Sequence, residues 1–306
     1  MVIASTGFFD GVHRGHRAVL DRVCTLAKER GGSSAVITFW PHPRAVLQQD
    51  AARFRLLTSL EEKRKLLASI GIDEVHTLCF NKEFARLTTE EFFREYLVGE
   101  FGVTTFVVGY DHRVGCDLSQ SQEEMFKIAR KLGIEPIRVD EYLTGQEGTP
   151  VIISSTKIRE SLLKGDIESA NLMLGYRYGL EGVVVEGQRI GRTIGFPTAN
   201  IMLYEPLKLL PADGVYAVWA ESLGRCYKGI TNIGTRPTIS HMNERTIETH
   251  ILGFDEDIYG LSFKIEFVKR LRNEQKFASL HELKLQLERD RLNAKEILTS
   301  GFEQLR

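Results

Sequence analysis

The sequence predicts two successive domains of different class: an α/β domain on a parallel sheet, then a small all-β antiparallel barrel with a terminal helix. Three observations predict this. The first half alternates short β-prone runs with stretches of helical spacing, the pattern of a parallel sheet covered by helices on both faces. From about Gly182 the helical period gives way to short β-rich stretches punctuated by Gly and Pro. A last amphipathic stretch, Leu280–Leu298, returns to helical spacing. The 306 residues accommodate two ordinary domains, divided as 1–177 and 178–306 near Tyr178.

In the first half, Val2–Ser5 is short, apolar and β-prone, so a first strand is expected there. Arg17–Arg30 then carries Val19, Leu20, Val23, Leu26 and Ala27 at helical spacing. Ala35–Phe39 reads as a buried strand. Leu60–Ile70 reads as a helix opened by Thr58 or Ser59 as cap. A strand over Val75–Phe80, a helix over Glu90–Leu97, a strand over Thr105–Gly109, a helix over Gln122–Leu132 and a strand over Ile137–Val139 continue the alternation. Lys157–Leu174 is expected to form two short helices that close the first domain. In the second half, strands are expected at Gly182–Val185, Val215–Ala220, Tyr227–Ile233, Thr246–Leu252 and Phe263–Val268. The final helix is expected to be capped by Ser279 and followed by Gly301.

Composition narrows the function classes. Hydrophobic residues make up 42% and charged residues 26%, the proportions of a globular protein. The formal net charge of −1 provides no general basic field, so no nucleic-acid partner is expected. Cys24, Cys79, Cys116 and Cys226 are scattered without a C-x-x-C pair, which argues against a disulfide framework or zinc site. The opening MVIASTGFFDGVHRGH breaks after three apolar residues, unlike a signal peptide, and no apolar run approaches membrane-spanning length. A cytoplasmic protein without a membrane partner, monomeric or weakly oligomeric, is the expectation.

Two constellations carry chemistry. Gly7–His16 follows the first strand and opens the first helix, where a parallel sheet binds ligands. A helix N-terminus there offers free N–H groups to phosphate, and Gly7, Gly11 and Gly15 permit close backbone approach. His13 and His16 are three residues apart, on one face of a helical turn, suited to stabilising charge at an attacked phosphorus. H-x-x-H could also hold a metal or lie idle on the surface, but no third ligand is near in sequence. Ile153–Arg159 adds Ser154, Ser155 and Thr156 as hydroxyls and Arg159 as a forked cation for phosphate. Read by itself, it is an ordinary helix start. In the second half, Gly182, Gly187, Gly191 and Gly195 suggest a loop folded over phosphates. Thr198 and Asn200 face the same way in an extended segment and offer hard oxygen ligands to Mg²⁺. The competing reading is a polar turn after a strand.

The H-x-G-H stretch with Ser154–Arg159 resembles the nucleotidyltransferase superfamily. Phe9-Asp-Gly-Val-His-x-Gly-His16 and Thr38-Phe-Trp-Pro-His-Pro43 are closer still to the adenylyltransferase half of bacterial bifunctional riboflavin kinase/FAD synthetases. Gly195-Phe-Pro-Thr-Ala-Asn200, Gly214-Val-Tyr216, Asn232–Thr238, Thr246–His250 and Leu271-Arg272 resemble the riboflavin kinase half, so the likeness runs in order across nearly the whole chain. It implies a Rossmann-like nucleotidyltransferase domain and a riboflavin kinase-like barrel. The first would form FAD from FMN and ATP; the second would form FMN from riboflavin and ATP with Mg²⁺. It implies Glu248 as general base, with Thr198 and Asn200 on the metal. ATP phosphates would meet Gly7, Phe8, Asp10, His13, Gly15, His16, Ser155, Thr156 and Arg159 in one domain and Gly187, Gly191, Gly195 and Pro197 in the other. Asp111, Arg113 and Arg272 would line the flavin.

The chain departs from the family pattern at His112, where an aromatic is usual, at Val114, where Phe is usual, and at Trp40, where an acidic residue is commoner. Cys116–Gln122 lacks the usual basic residues. An alternative reading is therefore a riboflavin kinase with a weak or inactive adenylyltransferase domain because of the 109–122 loop. Two further alternatives are an aminoacyl-tRNA synthetase fragment, disfavoured by the charge, and a flavin sensor, which would have no use for Glu248 or a metal site.

Overall fold

The computed structural model describes residues 1–47, 54–110, 112–117, 120–140, 143–144, 151–187, 190–236 and 244–300. They fall into two compact units, Met1–Ser155 and Thr156–Arg306.

The first unit holds a parallel sheet of β1 (Val2–Thr6), β2 (Ser33–Trp40), β3 (Glu74–Cys79), β4 (Val103–Gly109) and β5 (Glu135–Val139), in the order β3-β2-β1-β4-β5. A short hairpin of β6 (Leu143–Thr144) and β7 (Val151–Ile152) follows. Strand alternation sends Ile3, Val36 and Val107 to one face, against Leu20, Val23 and Leu26 of α1 (Arg14–Arg30) and Leu67 of α3 (Leu60–Ile70). Ala4, Ala35, Ile37, Phe106 and Val108 face the other way, against Phe92, Phe93 and Leu97 and against Met125 and Phe126 of α5 (Gln122–Lys131). A one-turn helix, α2 (Pro43–Leu47), follows β2. The parallel sheet with helices on both faces is thus as expected. Its order reverses direction between β1 and β4, and the loops that leave those two strands flank the resulting crevice.

Two local details differ from expectation. The first helix starts at Arg14 rather than Arg17, because His13 occupies the cap and its ring accepts the His16 N–H. The stretch expected as one helix over Glu90–Leu97 begins as α4 (Thr89–Phe92) and widens into a π-helical turn over Phe93–Glu100. Of the two candidate caps for α3, Ser59 is the one used. Its hydroxyl accepts from the Glu62 N–H while the Glu62 carboxylate accepts from the Ser59 N–H.

The expected helix pair is present as α6 (Ser155–Lys164) and α7 (Ile167–Leu174), but from Thr156 onward it belongs to the second unit instead of closing the first, because its bonds run to residues of that unit. Asn171 Nδ2 donates to Phe267 O at 2.9 Å, and Ala212 N donates to Leu162 O at 2.9 Å. The barrel is closed and antiparallel. It comprises β8 (Gly179–Val185), β9 (Ala199–Leu203), β10 (Gly214–Ser222), β11 (Arg225–Arg236), β12 (Glu244–Ile251) and β13 (Ser262–Arg272), ordered β10-β11-β12-β9-β8-β13. A short helix, α8 (Ile190–Thr193), lies between β8 and β9. The terminal helix is α9 (Leu280–Ser300), and its Ala294 and Leu298 pack on Val215, Ala217, Trp219 and Ile230 of the barrel's outer face. β10 is buried on both sides, so Val215–Ala220 reads as a continuous apolar run rather than an alternating one.

The strand not anticipated is β9. It closes the barrel by pairing with β8 on one edge and β12 on the other. Its sequence, Ala-Asn-Ile-Met-Leu, has a single β-branched residue, and neighbours on both edges hold it extended in spite of that. Among the described residues, no helix is long and apolar enough to cross a membrane.

Candidate active sites

The loop after β1 is forced into an uncommon path. Phe9, Gly11 and Val12 have φ of 45°, 85° and 37°, values that favour glycine and strain a β-branched valine. Burial holds it there: Val12 and Phe9 sit in the core beneath α1. The Asp10 carboxylate accepts the N–H groups of Leu57 and Thr58 and the Thr58 hydroxyl at 3.0–3.2 Å, and Gly11 N donates to Thr58 Oγ1 at 3.1 Å. Ser155 Oγ donates to Asp10 O at 2.9 Å. The carboxylate of Asp10 is therefore engaged in fixing the loop. At Gly7 a Cβ would come within 3.1 Å of the Phe9 ring, and at Gly15 within 3.3 Å of the His13 ring, so both glycines allow the loop to pack on itself.

The imidazoles of His13 and His16 stack, with centroids 3.6 Å apart and planes inclined by 17°. Burial first, then the proximity of His13, Lys63 and His112, holds His16 well below the usual histidine range. His16 is thus neutral at pH 7. Its Nδ1 is buried and has no hydrogen-bond partner among the described residues. The β4 loop reaches the same place, where His112 Nε2 lies 3.1 Å from Thr6 Oγ1. That loop is anchored to α4: Thr89 Oγ1 donates to Val114 O at 2.8 Å, and Gly115, at φ 80°, has no room for a Cβ beside Thr89 N. Phe8 contacts the rings of Phe39, His42 and Phe80, forming an aromatic wall.

The structure thus gathers Gly7, Phe8, Asp10, His13, Gly15, His16 and Ser155 around one loop. Thr156 and Arg159 continue along α6 in the second unit. Arg113 lies exposed on the β4 loop; Asp111 lies outside the described residues. One member was missed from sequence: Lys63 of α3, which is 2% exposed. Its Nζ donates to Thr38 Oγ1 at 3.2 Å and lies 6.0 Å from the Trp40 ring centroid. Burial pulls its pKa down to about 8 against the opposing pull of Asp10.

The second site is a row across the barrel's outer face. Glu248 on β12 stands opposite Asn200 on β9 and Asn232 on β11. Asn232 pairs with Val215, and Val215 with Arg272. Directly opposed residues share a face, so Asn200, Glu248, Asn232 and Arg272 line one side. Thr198 Oγ1 lies 3.5 Å from Glu248 Oε2. A Cβ on Gly187 would fall 2.2 Å from Asn200 Nδ2, and one on Gly191 2.2 Å from Phe196 O, so neither position has room for a side chain. Gly195 has φ 83°, which turns the chain into Phe196-Pro197. Pro197 O is held by His250 Nδ1 at 2.8 Å. Helix α9 completes the site. Buried Asp290 accepts from Arg272 Nε at 3.0 and 3.1 Å and from Gln286 Nε2 at 2.9 Å, and Arg291 lies over the Phe196 ring at 5.6 Å.

Comparison with known proteins matches both units separately. The FAD synthetase family model covers residues 1–157 and the riboflavin kinase model residues 174–298. The bifunctional riboflavin kinase/FMN adenylyltransferase of Bacillus subtilis is 38% identical over 295 residues, covering 95% of this chain and 91% of its own. That of Escherichia coli K12 is 40% identical over 296 residues, covering 96% and 92%. A crystal structure from Streptococcus pneumoniae described as a macrolide-efflux protein superposes with a TM-score of 0.86 at 31% identity, covering 95% of this chain and 93% of that one. With both halves matched in order and curated relatives aligned almost end to end, the chain belongs to the bifunctional riboflavin kinase/FMN adenylyltransferase family.

Proposed function

We propose that the chain makes FAD in two ATP-dependent steps, phosphorylating riboflavin to FMN in the barrel and adenylylating FMN in the α/β unit. The observation that carries this reading is the presence of two separate polar centres, each inside the segment matched by the corresponding family model. The functional domains are 1–177 and 178–306. The substrates are small molecules, with no nucleic-acid or membrane partner, and the protein works in the cytoplasm as a monomer or weak oligomer.

In the barrel, Glu248 takes the proton of the riboflavin 5′-hydroxyl as that oxygen attacks the γ-phosphorus and ADP leaves. Asn200 and Asn232 flank Glu248 in register, which supports a fixed orientation for its carboxylate. A divalent cation fits beside them. Thr198 and Asn200 offer hard oxygen donors, and Gly187, where a Cβ would fall 2.2 Å from Asn200 Nδ2, lets the backbone come close to that amide. We assign Mg²⁺, which when bound neutralises charge on the transferring phosphoryl group. Gly187, Gly191, Gly195 and Pro197 shape the phosphate loop, and Arg272, oriented by Asp290, lines the flavin.

In the α/β unit, an oxygen of the FMN phosphate attacks the α-phosphorus of ATP and pyrophosphate leaves. The nucleophile is already an anion, so no base is needed and catalysis rests on positioning and charge stabilisation. His13 and neutral His16 serve as hydrogen-bond donors. Gly7, Phe8 and Gly15 shape the loop, Asp10 holds it, and Ser155, Thr156 and Arg159 bind phosphate from α6. Asp111 and Arg113 are assigned to FMN. The altered β4 loop falls inside the FAD synthetase match, and Thr89 holds it in place, which supports an active first domain over the kinase-only alternative.

Chromatographic product analysis tests the proposal. With ATP and Mg²⁺, riboflavin yields FMN and then FAD, and FMN yields FAD. Glu248→Gln lowers FMN formation by about 10²–10⁴-fold, the range of a general base, and leaves FAD formation from FMN intact. FMN accumulating without FAD in the unsubstituted protein would remove the first-domain assignment.

A further inference from the structure

A buried ammonium has three donors to satisfy, and among the described residues Lys63 satisfies one. Its hydrogen bond goes to Thr38 Oγ1. Asp10, the nearest acidic influence, directs its carboxylate to Leu57 N, Thr58 N and Thr58 Oγ1. Lys63 is nonetheless almost wholly shielded from water, and a buried charge with unfilled donors is costly unless something pairs with it. The second, independent observation is His16, whose charge state Lys63 influences and whose buried Nδ1 also has no partner among the described residues. Two neighbouring elements thus present unsatisfied nitrogen atoms, one on the helix that opens the phosphate loop and one on α3. The group that fits both is an anion with several acceptor oxygens.

We infer that Lys63 is a catalytic residue of the adenylyl-transfer centre, donating directly to a phosphate oxygen of the bound nucleotide beside His16. The inference rests on the proposed adenylyl transfer for its reaction, but the phosphate contact itself is separable. Thr38 on β2 and the Trp40 ring orient the ammonium. Trp40 takes the place where an acidic residue is usual in the family, so the aromatic face leaves the ammonium free of a competing carboxylate at that position.

The test uses the full chain. Binding of inorganic pyrophosphate is measured by calorimetry for the unsubstituted protein and for Lys63→Met, with Lys63→Arg as the charge-retaining control. Loss of one charge-assisted contact lowers affinity at the first-unit site at least ~10-fold, and Arg restores part of it. Thermal unfolding monitors integrity, because Met removes a buried charge and is tolerated by packing. FAD formation from FMN falls with affinity, while riboflavin kinase activity in the same tube stays unchanged. A dependence of kcat/KM for ATP that falls above about pH 8 in the unsubstituted protein and moves upward in Lys63→Arg separates direct contact from a packing role. Asp10 and His16 are the titratable groups whose charge is coupled to Lys63, and neither is altered by the substitution. Unchanged pyrophosphate binding in Lys63→Met overturns the inference whether or not FAD is made. Lys63-dependent binding in a protein that makes no FAD would instead overturn the functional reading and leave the phosphate site standing.

Discussion

The burial of Lys63 has a consequence for stability that is independent of its ligand. Its folded-state pKa of about 8 lies below the ordinary 10.5 because burial disfavours the charged form. The folded protein therefore carries a penalty below pH 8, where Lys63 is protonated in both states. As pH rises from about 8 to 10.5 the folded lysine loses its proton before the unfolded one, and stability rises. The gain amounts to about 3 kcal/mol for the first unit. Denaturation of the ligand-free protein at pH 7.5 and pH 10 checks this, with Lys63→Met removing that part of the pH dependence. The same residue shows the limit of sequence reading at this scale. In Leu60-Glu-Glu-Lys-Arg-Lys-Leu-Leu67, charge suggests solvent, yet Lys63 falls three residues after Leu60 and four before Leu67, on the core face. That placement was the available signal. The placement of His13 and His16 at the start of α1 and of Glu248 on a strand was legible, because motif and pattern agreed there. The inward turn of Asp10 was not, since nothing in the sequence pairs it with Leu57 and Thr58 across 47 residues.

At the scale of elements, periodicity identified those that bury one face and failed where partners set the conformation. β1, β2 and β4 alternate between two cores and α1 and α3 cover one of them, all visible as patterns. β9 was hidden because it is extended by β8 and β12 rather than by its own residues, although it carries Asn200 to Glu248. Two elements place chemistry at a distance and are testable. Ser59→Ala removes the reciprocal cap that starts α3, at a cost of about 1 kcal/mol, read from the denaturation midpoint of the first unit. Helix α9 holds Arg272 through Asp290, which is 1% exposed. Asp290→Asn leaves the guanidinium without its counter-charge in a largely buried place and destabilises the second unit by about 3 kcal/mol. It raises KM for riboflavin about tenfold and leaves the KM for FMN in FAD synthesis unchanged, a contrast that steady-state kinetics reads from one preparation.

At the scale of the whole molecule, each unit has its own core and its own polar centre, so the two chemistries are separable by single substitutions. A neutral imidazole at the start of α1 belongs to one unit, and a carboxylate flanked by two amides belongs to the other. A Glu248→Gln chain lacks the first step and a His16→Ala chain lacks the second, and neither alone converts riboflavin to FAD. Mixed in solution with ATP and Mg²⁺, the two chains restore FAD after a lag in which FMN rises and then falls. The product of one centre is an anion that dissociates into water and is captured by the other centre as a substrate, so no shared chain is required. The height of the FMN transient scales inversely with the concentration of the Glu248→Gln chain, which supplies the intact second step. Time courses by chromatography at several mixing ratios read this directly. A mixture that accumulates FMN and never forms FAD would show that the second step needs FMN made on the same chain.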